Sequence, residues 1–427
     1  MTETVAILVG GGPAPGINGV ISAATIRCLD EGWKVLGIEQ GFKWIMRGDL
    51  SKVVPLTLER MSRLHFRGGS LLKTSRANPT KNPSHLAQVL KSLDQLGVTG
   101  LVTIGGDDTC FSALSLERAA QGRLRVVHVP KTIDNDLDLP QGISTFGFQT
   151  ARHVGTFAVT SILEDARTTG HWFFVVAMGR KAGHLALGIG KAAGATLTMI
   201  PEEFRDRPIK LATVADILAG AIIKRLSLGR EDGVAVLAEG LAEIMSPDDL
   251  TALASVARDD HGHVELADLD LGRVLKEEVL KRLAPYGLSP TIRVKDLGYE
   301  LRCADPIPFD MEYCRDLGCS AAEYLISGGT GAMVSIVNGA CSPIPFGRIL
   351  DPATQRTRVR MVDVASESYR IARRYMVRLD ESDFAERERL ARCAAVAGLT
   401  AEAFRERFAA VAAHERGAPA LPSSGNH

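Results

Sequence analysis

The 427-residue sequence predicts an α/β protein: two Rossmann-like, three-layer αβα domains followed by a helical C-terminal extension. Three observations carry this expectation. Short apolar runs alternate with segments of helical spacing, glycine-rich turns follow the apolar runs, and the cycle recurs in the second half of the chain.

Val5 to Val9 reads as a strand, Gly10 to Gly16 as a turn, Asn18 to Asp30 as a helix and Val35 to Ile38 as the next strand, a βαβ unit. A helix over 86–96, a strand over 100–104, a helix over 107–117 and a strand over 125–129 continue it. Such apolar strands belong to a parallel sheet covered on both faces. The second cycle begins after Gln149 with a helix to Arg167, then strands over 172–176, 196–200 and 233–237 separated by helices over 183–194 and 214–226. Residues 245–270 are polar and irregular and read as a loop-rich insertion before a helix over 272–283. Strand signals return at 291–295 and 332–337. Residues 380–416 carry Ala, Glu and Arg at helical spacing, and 417–427 reads as a loose tail.

Composition excludes several function classes. Lys+Arg and Asp+Glu number 50 each, so the formal charge is zero and no basic surplus is available for a nucleic-acid backbone or an anionic bilayer. No apolar run approaches the roughly 18 to 20 residues of a membrane span, and the N-terminus enters the first strand without a basic leader or cleavage site. The 7 cysteines are scattered, odd in number and without a CxxC pair, which fits reduced thiols in a cytoplasmic protein.

Three turns carry the chemistry. Gly10-Gly11-Gly12 joins a strand to a helix, where backbone N–H groups approach an anion; tight βα turns use glycine for purely structural reasons as well. Gly105-Gly106-Asp107-Asp108-Thr109 follows a strand, and its paired carboxylates suit a hard cation such as Mg²⁺ carrying phosphates. A helix N-cap would account for one aspartate but not for both. Lys131-Thr132-Ile133-Asp134-Asn135-Asp136-Leu137-Asp138 follows a third strand, and one lysine among three carboxylates there suggests phosphate contact plus a general base. Spacing alone leaves Arg180, Arg293 and Arg302 no better than solvated surface cations.

GGGPAPGIN (Gly10 to Asn18), GGDDT (Gly105 to Thr109), PKTIDND (Pro130 to Asp136), MGR (Met178 to Arg180), PEE (Pro201 to Glu203) and GYELR (Gly298 to Arg302) occur in an order that resembles the phosphofructokinases. The resemblance covers roughly residues 1–380. It implies a phosphoryl-donor domain of residues 1–145 plus about 303–345, a sugar-phosphate domain of 146–302 plus about 346–380, and a helical extension over 381–427. It implies Asp134 as the base for the sugar 1-hydroxyl, with Asp136 beside it, Thr132 at the transferred phosphate and Arg180 stabilising charge between the substrates. Asp107 would hold Mg²⁺, and Gly11, Gly12, Arg76, Asp108, Thr109 and Lys131 would line the donor side. Met178, Gly179, Glu239, Arg293, Tyr299 and Arg302 would hold the sugar phosphate, with Arg293 reaching across a subunit interface of a homodimer or homotetramer.

Three departures refine this expectation. ATP-using members generally carry glycine at the place of Asp108 and bacterial ones often at that of Lys131, so the pair resembles the pyrophosphate-dependent branch: the carboxylate repels a nucleotide's α-phosphate and the lysine attracts the pyrophosphate end. His171 stands where bacterial ATP enzymes carry an arginine to the sugar 6-phosphate, which leaves fructose 6-phosphate and a larger acceptor such as sedoheptulose 7-phosphate both open. Ser22 and Ile26 replace effector-binding arginines, so the usual control by ADP or phosphoenolpyruvate is not expected. The rivals are an ATP-dependent phosphofructokinase, the NAD and lipid kinases that share a Gly-Gly-Asp turn, and a non-catalytic regulatory subunit, which the presence of Asp107 and Asp134 disfavours.

Overall fold

In the computed structural model, residues 3–204, 207–246, 248–249, 270–354 and 357–413 are described. Contacts divide the chain into unit 1 (Met1–Val154 and Tyr299–Arg360) and unit 2 (Gly155–Gly298 and Met361–His427). In chain order the elements are β1 (Thr4–Val9), α1 (Ile17–Asp30), β2 (Lys34–Ile38), β3 (Val53–Pro55), α2 (Leu58–Met61), α3 (Pro83–Gln95), β4 (Gly100–Gly105), α4 (Asp107–Ala120) and β5 (Arg125–Pro130). Then follow α5 (Phe148–Thr169), β6 (Trp172–Ala177), α6 (His184–Ala193), β7 (Leu197–Met199), α7 (Leu211–Ser227), β8 (Gly233–Ala238), the helix Leu271–Leu283, β9 (Ile292–Leu297), the helix Pro308–Ile326 and β10 (Ala332–Met333).

The sheet of unit 1 has the order Ile344–Pro345, β10, β5, β4, β1, β2, β3. Its five inner strands are parallel, and β3 and Ile344–Pro345 close the edges antiparallel. β1 and β4 are buried along their whole length, as apolar runs covered on both faces must be. Val9 pairs with Ile104 and Gly105 with Pro130, so β1, β4 and β5 end at one level. That shared carboxyl edge is where an open α/β sheet places its ligands.

Unit 2 has a four-stranded parallel sheet of order β7-β8-β6-β9. Its C-terminal helices Glu381–Ala385, Arg387–Val396 and Ala401–Ala413 bury Phe384, Leu390, Phe404, Phe408 and Val411 in the same core as Val214, Leu218 and Ile222 of α7. Residues 381–413 form the expected helical C-terminal region, and they pack as a layer of unit 2, because their apolar stripe needs a partner surface. The divisions fall after 154, 298 and 360, later or earlier than the expected 145, 302 and 345, since helix α5 runs through the first and Tyr299–Arg302 belong to unit 1. The expected strand over 332–337 is two short pieces, Ala332–Met333 and Ile336–Val337, in different sheets. Most of the expected insertion over 245–270 and the tail over 417–427 lie outside the described residues.

A charged pair anchors this C-terminal layer. Arg378, 3% exposed, donates from Nη1 to Glu203 Oε2 at 2.7 Å and from Nη2 to Oε1 at 3.1 Å, while Glu203 is 9% exposed. Removing one partner of such a pair leaves the other charge buried and uncompensated. Arg378→Ala is expected to lower unfolding stability by about 3 to 5 kcal/mol in urea titration. The double variant Arg378→Met/Glu203→Met is expected to be less damaged than Arg378→Ala, because neither member of the pair then remains buried without its partner.

Candidate active site

In unit 1 each of the three level strands passes into a polar turn. After β1, the Gly10 N–H donates to Ile104 O and the Gly11 N–H to Ser75 O, each at 2.9 Å, which seats the glycine turn between β4 and the segment carrying the exposed Arg76. Gly11 has φ +79, and a Cβ there would stand 3.2 Å from Lys131 Nζ. A Cβ on Gly12 would stand 3.2 Å from Arg302 Nη1. Gly11 suits its left-handed backbone, and the Lys131 and Arg302 head groups lie close over the turn.

After β4, α4 starts at Asp107 with Gly106 as its N-cap, and no side chain caps it. Asp107 Oδ1 accepts the Asp108 N–H at 2.8 Å. Neither aspartate is therefore the cap. Both carboxylates stand in the first helical turn, Asp107 half-buried and Asp108 exposed, while Thr109 is buried. A Cβ on Gly10 would meet Thr109 Oγ1 at 2.3 Å, so Thr109 fills the gap between the first two turns. Beneath them, buried His128 contacts Thr103 Oγ1 at 2.8 Å through Nδ1 and the Gly105 carbonyl at 3.0 Å through Nε2. Burial pushes its pKa down to about 3, so the ring is neutral; its Nε2–H donates to Gly105 and Nδ1 accepts from Thr103.

After β5, the Lys131 N–H donates to Gly105 O at 2.8 Å, and its ammonium donates to the Gly12 carbonyl. Thr132 Oγ1 accepts the Asp134 N–H at 3.0 Å, and Thr145 Oγ1 donates to Thr132 O at 2.7 Å. Lys131 is only 4% exposed. Burial lowers its pKa to about 8; Asp134 and Asp136 oppose that shift, and Arg302 and Arg76 add to it. One buried ammonium thus gathers two carboxylates, two guanidiniums and the glycine turn. Tyr299 and Arg302, expected on the sugar-phosphate side, belong to unit 1, with the Arg302 guanidinium 4.6 Å from the Tyr299 ring centre.

In unit 2, Ala177 pairs with Ala238, which makes the turns after β6 and β8 neighbours. Gly179, at φ +147, donates its N–H to Glu239 Oε2 at 3.2 Å, and its carbonyl accepts the Gly240 N–H at 3.1 Å. Met178 is tied to β9 by its N–H to Leu297 O at 2.9 Å, and Arg180 Nε donates to Glu243 Oε1 at 3.1 Å. The structure thus brings together Met178, Gly179, Arg180 and Glu239. It does not bring Arg293 to them: Arg293 pairs with Phe173, four residues before Leu297, about 13 Å back along the strand. His171 precedes Trp172 at that same far end of β6.

A family model described as phosphofructokinase matches residues 4–325. The chain belongs to the phosphofructokinase family. Among curated relatives, the pyrophosphate–fructose 6-phosphate 1-phosphotransferase of Naegleria fowleri is 50% identical over 95% of this chain and 95% of its own. The protein of the same name from Thermotoga maritima is 49% identical over 96% of this chain and 98% of its own. The ATP-dependent 6-phosphofructokinase of Mycobacterium bovis is 32% identical over 80% and 93%. Among solved structures, the pyrophosphate-dependent phosphofructokinase of Nitrosospira multiformis shares the fold, with TM-score 0.67 at 15% identity over 87% of this chain and 90% of that one.

Two side chains of this phosphofructokinase brace the site, and neither is among the candidate site residues. His128 holds the GGDD turn from below. Glu202 Oε1 accepts the Gly183 N–H at 2.9 Å and the Val362 N–H at 3.0 Å, fastening the far end of the loop that carries Arg180; burial raises its pKa. Glu202 lies in the PEE segment that resembles the family, but its partner Val362 lies 160 residues away. Among the described residues no three His, Cys, Asp or Glu side chains gather as a metal cage. A single half-exposed Asp107 at a sheet edge still fits Mg²⁺, which keeps waters and substrate phosphates in its shell and needs only one or two carboxylates.

Proposed function

We propose that the chain reversibly transfers phosphate from pyrophosphate to the 1-hydroxyl of fructose 6-phosphate, giving fructose 1,6-bisphosphate and phosphate. The observation that carries this reading is buried Lys131, bonded to the Gly12 carbonyl and clustered with Asp134, Asp136, Arg76 and Arg302. The two relatives near 50% identity carry that activity in their names. Asp134 takes the hydroxyl proton as the sugar oxygen attacks phosphorus, the bridging P–O bond breaks, and phosphate leaves. Thr132 and Asp136 flank the transferred group, and Gly11, Gly12, Arg76, Thr109 and Lys131 receive the pyrophosphate. Asp108 stands against the α-phosphate of a nucleotide. Asp107 would hold Mg²⁺, which would supply charge neutralisation on the phosphate oxygens. Met178, Gly179, Arg180, Glu239, Tyr299 and Arg302 serve the sugar phosphate.

The position of Arg293 at the far end of its own β9 supports a role in a neighbouring subunit of a homodimer or homotetramer. The 7 unpaired cysteines support a cytoplasmic enzyme. No described helix is long and apolar enough to cross a membrane. Assays of purified protein with fructose 6-phosphate, Mg²⁺ and either pyrophosphate or ATP test the donor, and sedoheptulose 7-phosphate as competing acceptor tests the sugar.

The depressed Lys131 pKa makes donor use pH-dependent. Below a pH of about 8 the side chain is the ammonium that attracts pyrophosphate; above it the charge is lost. The value of kcat/KM for pyrophosphate is expected to fall as pH rises through about 8. Lys131→Arg is expected to remove that limb, because a guanidinium stays protonated. A wild-type profile that stays flat there takes Lys131 out of the donor site.

A further inference from the structure

The loop after β5 turns back at Asn135, which holds φ +57, a left-handed backbone that glycine adopts freely and Asn adopts more readily than other residues with a side chain. Ten residues on, the Thr145 N–H donates to Asn135 Oδ1 at 3.0 Å. The remaining bonds come from 225 residues away. Arg360 donates from Nε to the Asn135 carbonyl at 3.1 Å, from Nη1 to the Ile143 carbonyl at 2.6 Å and from Nη2 to Asn135 Oδ1. Its own N–H donates to the Asp136 carbonyl at 2.8 Å, and next to it Val359 pairs antiparallel with Leu137. These residues all belong to unit 1.

The guanidinium fork therefore grips the backbone on both sides of the loop, immediately after Asp134 and again at Ile143. We propose that Arg360 is a positioning residue for phosphoryl transfer, holding the Asp134 carboxylate at its working angle through the backbone of Asn135. The fork's bonds go to the Asn135 and Ile143 carbonyls and the Asn135 side chain. A planar fork with several fixed donors can serve three acceptors at once, which a lysine ammonium on a flexible stem cannot reproduce. Loss of the fork lets the base drift, and a displacement of about 1 Å at a reacting group costs on the order of 10²-fold in rate. This inference rests on the reading of Asp134 as the base.

The test is steady-state kinetics of the full chain with pyrophosphate, fructose 6-phosphate and Mg²⁺, with thermal unfolding as the check on folding. Arg360→Ala is expected to lower kcat about 10²-fold with both KM values within about threefold. Arg360→Lys, which keeps the stem and charge in place, is expected to lose about tenfold in kcat with the same unchanged KM, and it carries the test if Arg360→Ala fails to fold. In an Asp134→Ala background, Arg360→Lys is expected to cause less than about a twofold further loss, because a misplaced base matters only when the base is present. Wild-type kcat in Arg360→Lys, or a loss that multiplies with that of Asp134→Ala, overturns the inference. If Asp134→Ala itself turns over normally, the reading of the base falls; if that variant is crippled while Arg360→Lys is normal, the inference alone falls.

Discussion

Asp134→Ala is expected to lower kcat by about 10² to 10⁴-fold while leaving KM for fructose 6-phosphate within a few-fold. Removing the proton acceptor costs the transition state far more than the bound sugar, which is held elsewhere. The structure sharpens the reason. The Asp134 N–H is tied to Thr132 Oγ1 at 3.0 Å, so the carboxylate leaves a turn that is fixed on one side by Thr132 and on the other by Asn135. The Lys131 ammonium lies close enough to interact with it electrostatically. Asp134→Asn keeps shape and most hydrogen bonding yet cannot accept the proton at neutral pH, so it is expected to be nearly as slow as the alanine variant. Single-turnover measurement with both substrates saturating checks this directly, and near-normal turnover in either variant removes Asp134 from its role.

Donor choice should change in two stages when Asp108 and then Lys131 are replaced. Asp108→Gly is expected to retain most pyrophosphate activity and to give weak ATP activity, because the exposed carboxylate that opposes an α-phosphate is gone. Asp108 is not the cap of α4, so this change costs the helix only about 0.3 to 0.5 kcal/mol of propensity. Replacing Lys131 by glycine as well is expected to lower kcat/KM for pyrophosphate about 10- to 100-fold, the equivalent of one charge-assisted phosphate contact. ATP then becomes the relatively better donor, since attraction for the compact anion disappears after repulsion of the nucleotide. Lys131 also braces the glycine turn through the Gly12 carbonyl, so part of its effect is expected in kcat. The wild type is expected to run in reverse from fructose 1,6-bisphosphate and phosphate. Efficient ATP turnover by the wild type with none from pyrophosphate would overturn the donor assignment and leave the family membership standing.

The sequence by itself determined the strand and helix alternation, the three polar turns and the order of motifs that places the chain in its family. Those features are local: apolar runs, glycine turns and strand-following carboxylates are each legible within about ten residues. Strand ends were legible for the same reason, and the register of β1, β4 and β5 then set the three turns side by side. The tertiary structure alone decided that neither aspartate caps α4, that Arg302 stands beside the glycine turn, and that residues 381–413 form a layer of unit 2. It alone revealed the braces at His128, Glu202 and Arg360. Arg360 sits in a polar stretch with no local sign of function, and its meaning comes from acceptors 217 to 225 residues away. A hydrogen bond closing so long a loop leaves no periodicity in the chain, because its partners are chosen by packing between elements rather than by spacing within one.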